Sequence, residues 1–300
     1  MRNNRPILSI FALLFLILPL RAQKNAKNAP EFLQFTHSKW VDSIMENLTP
    51  KERIAQLIMV AAYSNRGTQH KKEILKLINE QKVGGLIFFQ GDPKSQLELM
   101  NDYQLASEVP LLGAIDAEWG LGMRLDNTIS YPYQMALGAI RDDSLVYDLG
   151  KEVARQIKRT GLHLNFAPVV DVNNNSNNPV INYRSFGENK KNVAQKGIAY
   201  MRGMQDANLL TTAKHFPGHG DTDTDSHYAL PQINHPFERL DSLEMYPFKE
   251  LIKAGIGGVM VAHLNIPALD STGVPSTLSK PIITGILKDR LGFEGLIVTD

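Results

Sequence analysis

From residue 57 onward, short apolar runs rich in β-branched residues alternate with amphipathic stretches of helical period, and this alternation narrows the possible folds more than any other feature. The runs fall at 57–61, 83–89, 110–115, 162–172, 210–214, 258–263 and 295–299. The helical stretches fall at 71–81, 95–106, 145–159, 192–205, 243–253 and 281–291. Such alternation implies an α/β fold with a mainly parallel sheet. Helix punctuation agrees. Thr49-Pro50-Lys51-Glu52 supplies an N-cap hydroxyl, a proline at the first helical position and a glutamate able to reach back to the cap. Gly161 and Gly292 fall where a helix needs a left-handed exit. A doubly wound sheet competes with a (β/α)8 barrel. It normally carries a glycine-rich turn after its first strand, and Val60-Ala61-Ala62-Tyr63 is no such turn.

Ahead of this pattern stands a segment of different character. Arg2 and Arg5 precede an apolar run at 7–20, and small Ala22 follows, which is the layout of a signal peptide over residues 1–22. The run is short for a bilayer span, although an uncleaved anchor is the alternative reading. Residues 23–36 read as a polar tether, leaving 37–300 as the folded domain. Export to a periplasmic or extracellular space is expected, with no membrane association after cleavage. The chain has no cysteine, which removes a lipidated cysteine, a disulfide framework and a thiolate metal site. A net charge of +1 gives no electrostatic case for nucleic acid or an acidic membrane surface. A large core can be stable without disulfides, and 43% hydrophobic residues is ample for one.

A parallel sheet concentrates chemistry at the carboxyl ends of its strands. Asp116 and Glu118 follow the third run, Asp171 lies near the end of the fourth, His215 follows the fifth, His263 ends the sixth and Asp300 follows the last. The densest constellation is Lys214-His215-Phe216-Pro217-Gly218-His219-Gly220-Asp221-Thr222-Asp223-Thr224-Asp225-Ser226-His227. His215 and His219 have the spacing of a helical zinc pair, but Pro217 and Gly218 between them oppose a helix. Asp221, Asp223 and Asp225 mimic the start of a calcium loop. Ser226 stands where that loop needs glycine, and Gln232 where it needs a bidentate glutamate. The glycines could cradle a phosphate, yet no Gly-Lys-Ser/Thr follows. An acid/base loop fits better: Asp225 and His227, two residues apart, project to one side of an extended segment. The carboxylate would orient the ring and raise its pKa, suiting it to donate and then accept a proton. His219 is ambiguous: a structural hydrogen-bonder near the base of this loop is one reading, and it is left out of the catalytic set.

The run 214–227 resembles the signature of glycoside hydrolase family 3, in its β-N-acetylglucosaminidase branch. Asn165-Phe166-Ala167-Pro168-Val169-Val170-Asp171-Val172 and Tyr183-Arg184-Ser185-Phe186-Gly187-Glu188 resemble it too, and the likeness extends over residues 40–300. The resemblance implies a (β/α)8 TIM-type barrel. With seven runs counted and an eighth strand needed for closure, the barrel is expected to be truncated after its seventh strand. It also implies a retaining β-N-acetylhexosaminidase that releases terminal β-linked N-acetylglucosamine by double displacement. In that scheme Asp300 is the nucleophile and His227, paired with Asp225, the general acid/base. Asp116, Arg124, Arg184, Lys214 and His215 hold sugar hydroxyls, and His263 stands on the same rim. No metal or organic cofactor is called for. With export, β-N-acetylglucosaminides of cell-wall fragments such as peptidoglycan become the expected substrates.

One departure is local. The branch usually shows Asp-Gln-Glu-Gly-Gly where this chain has Asp116-Ala117-Glu118-Trp119-Gly120, so Trp119 either reshapes the pocket entrance or packs as an ordinary core residue. Three alternatives stand beside the main reading. They are a β-glucosidase or β-xylosidase of the same family, a metal-dependent hydrolase using His215, His219 and His227, and a non-catalytic glycan-binding protein.

Overall fold

The computed structural model describes residues 30–223 and 230–300. Seven parallel strands form one sheet in chain order: β1 (Met59–Ala62), β2 (Gly85–Phe88), β3 (Leu112–Ile115), β4 (Leu164–Asn165), β5 (Leu210–Phe216), β6 (Gly258–Val261) and β7 (Leu296–Thr299). This is the strand order of a TIM-type barrel. The helices are α1 (Lys39–Asn47), α2 (Pro50–Ala55), α3 (Gly67–Lys76), α4 (Pro93–Ala106), α5 (Gln134–Gly138), α6 (Asp143–Arg159), α7 (Lys190–Asp206), α8 (Phe237–Ser242) and α9 (Tyr246–Lys253). Two π-helical segments, Leu77–Gln81 and Pro281–Arg290, complete the crossovers after β1 and β6. Among the described residues no helix is long and apolar enough to cross a membrane, and the apolar run at 7–20 lies outside them.

The strand parity sorts side chains into two cores. Ala114, Leu164, Phe166 and Met260 form a small inner cluster, flanked by Met59, Ile87, Leu112, Leu210, Leu296 and Val298. The alternate positions, including Leu86, Phe88, Ile115, Ala213, Val259 and Val261, face outward into the main core beneath the helices. This is the inward–outward alternation that a curled parallel sheet requires. Following the inward parity along β5 reaches Lys214 from Leu210, and continuing it past β3 and β7 reaches Asp116 from Leu112 and Ala114 and Asp300 from Leu296 and Val298. The polar rim is therefore a continuation of the apolar interior.

Most expected elements are present. Thr49 caps α2 with both halves of the capping box formed, and Gly161 and Gly292 take positive φ at helix exits. Three differences have local causes. The run 162–172 yields only a two-residue strand: Pro168 has no N–H for the ladder, and the chain rejoins β5 through a single bridge from Val169 to Lys214. The stretch 243–253 is helical only from Tyr246, as α9, with Pro247 in its first turn, where its missing donor costs nothing; the short α8 lies wholly ahead of it. The tether 23–36 ends in a 3-10 turn, Glu31–Phe35.

The tightest helix contact on the outer layer is between α6 and α7, and two glycines permit it. A Cβ on Gly203 would lie 2.0 Å from the Tyr147 carbonyl oxygen, and one on Gly150 would lie 2.4 Å from that of Tyr200. Alanine gains about 1 kcal/mol of helix propensity over glycine, but a clash with backbone cannot be relieved by a rotamer change. Gly203→Ala is therefore expected to lower stability by about 1–3 kcal/mol, read as a fall in the urea midpoint. An unchanged or higher midpoint would show that the two helices separate freely.

Candidate active site

At the carboxyl end of the sheet lies a cavity of about 870 Å³. Asp116, Glu118, Arg124, Arg184, Lys214, His215 and Asp300 all line it. They arrive from several separate stretches of chain. Asp116 and Glu118 leave β3, and Asn165 at the end of β4 fixes that exit by binding the Ala117 N–H at 2.9 Å and its carbonyl at 3.2 Å. Lys214 and His215 are part of β5. Arg124 follows a 3-10 turn at Leu121–Met123, and Arg184 closes another at Asn182–Arg184. The buried amide of Gln134 donates to the carbonyls of Val169 at 2.8 Å and Arg184 at 2.6 Å, joining the second turn to the strand region.

The charged groups alternate in sign. Lys214 Nζ lies 2.8 Å from Asp116 Oδ1 and 2.8 Å from Glu118 Oε1. Arg124 Nη2 binds Asp116 Oδ2 at 2.7 Å. Arg184 takes Glu118 in a two-pronged grip, Nη2 to Oε1 at 2.7 Å and Nε to Oε2 at 2.9 Å. The order Arg124–Asp116–Lys214–Glu118–Arg184 places every carboxylate between two cations. Burial alone would raise the Glu118 carboxyl, but Lys214 and Arg184 outweigh it and hold it well below the usual carboxylate range. Asp116 follows the same pattern, with burial opposed by Lys214 and Arg124. Burial would lower the Lys214 ammonium, but Asp116 and Glu118 raise it above its ordinary value.

A third buried carboxylate organises the histidines. Asp171 accepts from the His215 backbone N–H at 3.2 Å and the His219 N–H at 2.7 Å, and meets His215 Nδ1 at 2.7 Å. Arg184 Nη2 is 3.3 Å from His215 Nε2. A guanidinium can only donate, so hydrogen-bond logic assigns Nε2 as acceptor and the ring proton to Nδ1, directed at Asp171. His219 is buried, its Nδ1 is 2.8 Å from Thr222 Oγ1, and its carbonyl accepts from Asn178 at 2.8 Å. Burial lowers the pKa of its imidazole. The ring also lines the cavity, and its Nε2 is buried without a hydrogen-bond partner among the described residues.

The remaining sequence-derived positions divide. Asp300 opens into the cavity, its backbone N–H bonded to the Val261 carbonyl at 3.0 Å, which continues the β6–β7 ladder to that residue. His263 lies two residues past β6 and does not line the cavity; its Nδ1 is 2.8 Å from Thr277 Oγ1. Asp225 and His227 lie outside the described residues. Asp221 is held by His235 at 2.7 Å and Arg239 at 3.0 Å. Glu118 and Asp171 are absent from the site set chosen on sequence, yet they bind its lysine, arginine and histidine. Their place at strand ends was visible; their depth and their partners were not.

Below about pH 4.5, the ordinary value for a glutamate, Glu118 in the unfolded chain takes up a proton that the folded chain refuses. The stability it contributes is therefore present above that pH and is lost as pH falls toward the depressed folded value. Glu118→Gln should cost about 3–5 kcal/mol at neutral pH, because buried Arg184 loses its carboxylate and Lys214 is left with Asp116 alone. Between about pH 5 and pH 2 the urea midpoint of this variant should fall less steeply than that of the unaltered protein. Parallel slopes would contradict the assignment.

The likeness to known proteins follows this geometry. The sequence profile described as the glycosyl hydrolase family 3 N terminal domain matches residues 49–300. β-Hexosaminidase A of Pseudoalteromonas piscicida is 37% identical over 252 residues, covering 76% of this chain and 42% of the relative. The solved family 3 β-N-acetylglucosaminidase from Paenibacillus sp. str. FPU-7 superposes with a TM-score of 0.79 at 41% identity, over 84% of this chain and 49% of that one. NagZ from Neisseria gonorrhoeae, solved in complex with N-trifluoroacetyl-D-glucosamine, superposes at 0.73 with 26% identity, over 81% of this chain and 74% of that one. The chain thus spans less than half the length of the first two. With most of its length matched, and with the strand-end residues of the family signature gathered around one cavity, the chain belongs to glycosyl hydrolase family 3 and groups there with sequences named β-hexosaminidases.

Proposed function

We propose that this chain supplies the catalytic barrel of an exported retaining β-N-acetylhexosaminidase that releases terminal β-linked N-acetylglucosamine. The observation that carries the reading is the convergence of Asp116, Arg124, Arg184, Lys214 and His215 on the cavity into which Asp300 opens. Fixed carboxylates and cations of this kind are hydrogen-bonding partners for sugar hydroxyls, and their mutual pairing holds them in place before substrate arrives. The names of the relatives, and the glucosamine derivative bound by the NagZ neighbour, support N-acetylglucosamine as the sugar.

Retention proceeds by two displacements. In the first, an Asp300 carboxylate oxygen bonds to the anomeric carbon as the bond to the leaving oxygen breaks, and His227 gives that oxygen its proton. In the second, His227 takes a proton from water, the water oxygen bonds to the anomeric carbon, and the ester to Asp300 breaks. Asp225 orients the imidazole and raises its pKa. A histidine donor avoids the mutual repulsion of two carboxylates at one anomeric centre. With the signal peptide removed the protein acts in the periplasm or outside the cell, on β-N-acetylglucosaminides such as cell-wall fragments.

In the full-length protein, Asp300→Ala is expected to abolish turnover, and a 2-fluoro sugar should label Asp300 covalently. Mass spectrometry finding the label on another residue would remove Asp300 from the role. His227→Ala should slow substrates with poor leaving groups by about 10²–10⁴-fold, and activated phenyl glycosides far less in their first step, because only the former need a proton. Equal slowing of that step across all leaving groups would contradict the proton-donor assignment.

A further inference from the structure

Three aromatic rings form a wall beside the cavity that neither the charged network nor the nucleophile uses. Trp119 lines the cavity, at the position where the family resemblance leads one to expect glycine. Its indole meets Tyr133 edge to face, with ring centroids 4.7 Å apart and planes at 84°. Tyr133 in turn lies 4.5 Å from Tyr183 at an interplanar angle of 42°. Tyr133 is 44% exposed and Tyr183 48%, so the wall leads from the cavity out to solvent.

Each ring adjoins a residue that the site already locks. Trp119 follows Glu118, and its carbonyl accepts from the Tyr131 N–H at 2.9 Å, which ties it to the segment carrying Tyr133. Tyr133 precedes Gln134, whose amide binds the Arg184 carbonyl at 2.6 Å. Tyr183 precedes Arg184, which grips Glu118. The wall is thus positioned by the same hydrogen bonds that position the sugar-binding charges. Its faces are large and apolar, while indole N–H and phenol O–H groups supply polar edges.

We propose that Trp119, Tyr133 and Tyr183 form a binding platform for the sugar on the leaving-group side of the scissile bond, a gluco-configured pyranose. Such a ring carries its hydroxyls equatorially, so its two faces are C–H surfaces that match aromatic planes. The platform rests on the reading of the cavity as a glycosidase site, because it needs a glycosidic bond directed out of that cavity. It fixes specificity for what is attached to the N-acetylglucosamine, a property separate from recognition of that sugar by the charged cluster.

Two measurements on the full-length protein test this. The first compares kcat/KM for the β-1,4-linked disaccharide of N-acetylglucosamine with that for methyl N-acetyl-β-glucosaminide. Trp119→Ala and Tyr183→Ala should each lower that ratio about three- to tenfold, mainly through KM, and Trp119→Phe should restore most of it. An unchanged ratio in both alanine variants overturns the platform. The second measurement needs no turnover. Trp119 and Trp40 are the two tryptophans of this sequence, and Trp40 sits in α1, so the emission lost on adding Trp119→Phe to the Trp40→Phe protein isolates the Trp119 signal. A non-hydrolysable thio-linked form of the disaccharide should change its emission, and Tyr183→Ala should weaken that response by a similar factor. No emission change at ligand concentrations that saturate by calorimetry, or no binding at all, overturns the platform. Failure of the unaltered protein to cleave either glycoside overturns the proposed function instead, and the emission experiment still decides the platform.

Discussion

The ammonium of Lys214 is buried at the end of β5 with a carboxylate on each side, and the active-site end of the sheet is arranged around that contact. Removing an ammonium from water costs several kcal/mol, and only close, well-directed partners offset it. Asp116 and Glu118 are such partners, and they lie 98 and 96 positions away in the chain, at the exit of a strand that is separated from β5 by β4. The sheet register that aligns β3, β4 and β5 and the hydrogen bonds of Asn165 to Ala117 are therefore conditions for the site to exist. The requirement passes outward. Each carboxylate has a second lone-pair face that needs its own donor, met by Arg124 on one side and Arg184 on the other. Fold and site are thus satisfied by one set of contacts.

That arrangement also suits hydrogen-bonding chemistry. A site whose polar groups are already paired does not need to reorganise when a ligand enters, and the low dielectric of the cavity floor strengthens each interaction. Asp171 extends the same logic to His215. It receives two backbone N–H groups and the ring Nδ1, so the imidazole has one orientation and one tautomer, with Nε2 turned toward Arg184. Asp300 differs from this group. Its backbone is pinned by the β6–β7 ladder, and the residue lines the open cavity without a place in the paired charges of the floor.

The elements read most easily from the sequence are those whose signal is local. The capping box at Thr49, the left-handed exits at Gly161 and Gly292, and the amphipathic periods of α4, α6 and α7 depend on residues within a few positions of one another. The region 162–172 was misread because its β-branched, apolar composition suits a strand, while Pro168 removes the donor that a strand there would need. Helix α8 has no counterpart among the amphipathic stretches, and α9 starts at Tyr246, three residues into the stretch 243–253, with Pro247 in its first turn. In the site, Asp116, Arg124, Arg184, Lys214 and His215 were legible through motif likeness. Glu118 and Asp171 were visible as rim residues without a role, because their importance lies in burial and in partners from distant segments.

The sequence by itself determined the alternation of strand and helix, the parallel sheet that alternation demands, the end of the sheet where ionisable residues gather, and membership in a family whose signature runs through residues 214–227. Periodicity and motif spacing are properties of adjacent residues, so a linear string carries them. Tertiary structure alone decided that Lys214 sits between two carboxylates, that Arg184 serves Glu118 and touches His215, and that His263 turns to Thr277 instead of the cavity. It alone brought Trp119, Tyr133 and Tyr183 into one wall. These are pairings across dozens of residues, set by sheet register and by the satisfaction of buried charge, and neither quantity exists until the strands have been laid side by side.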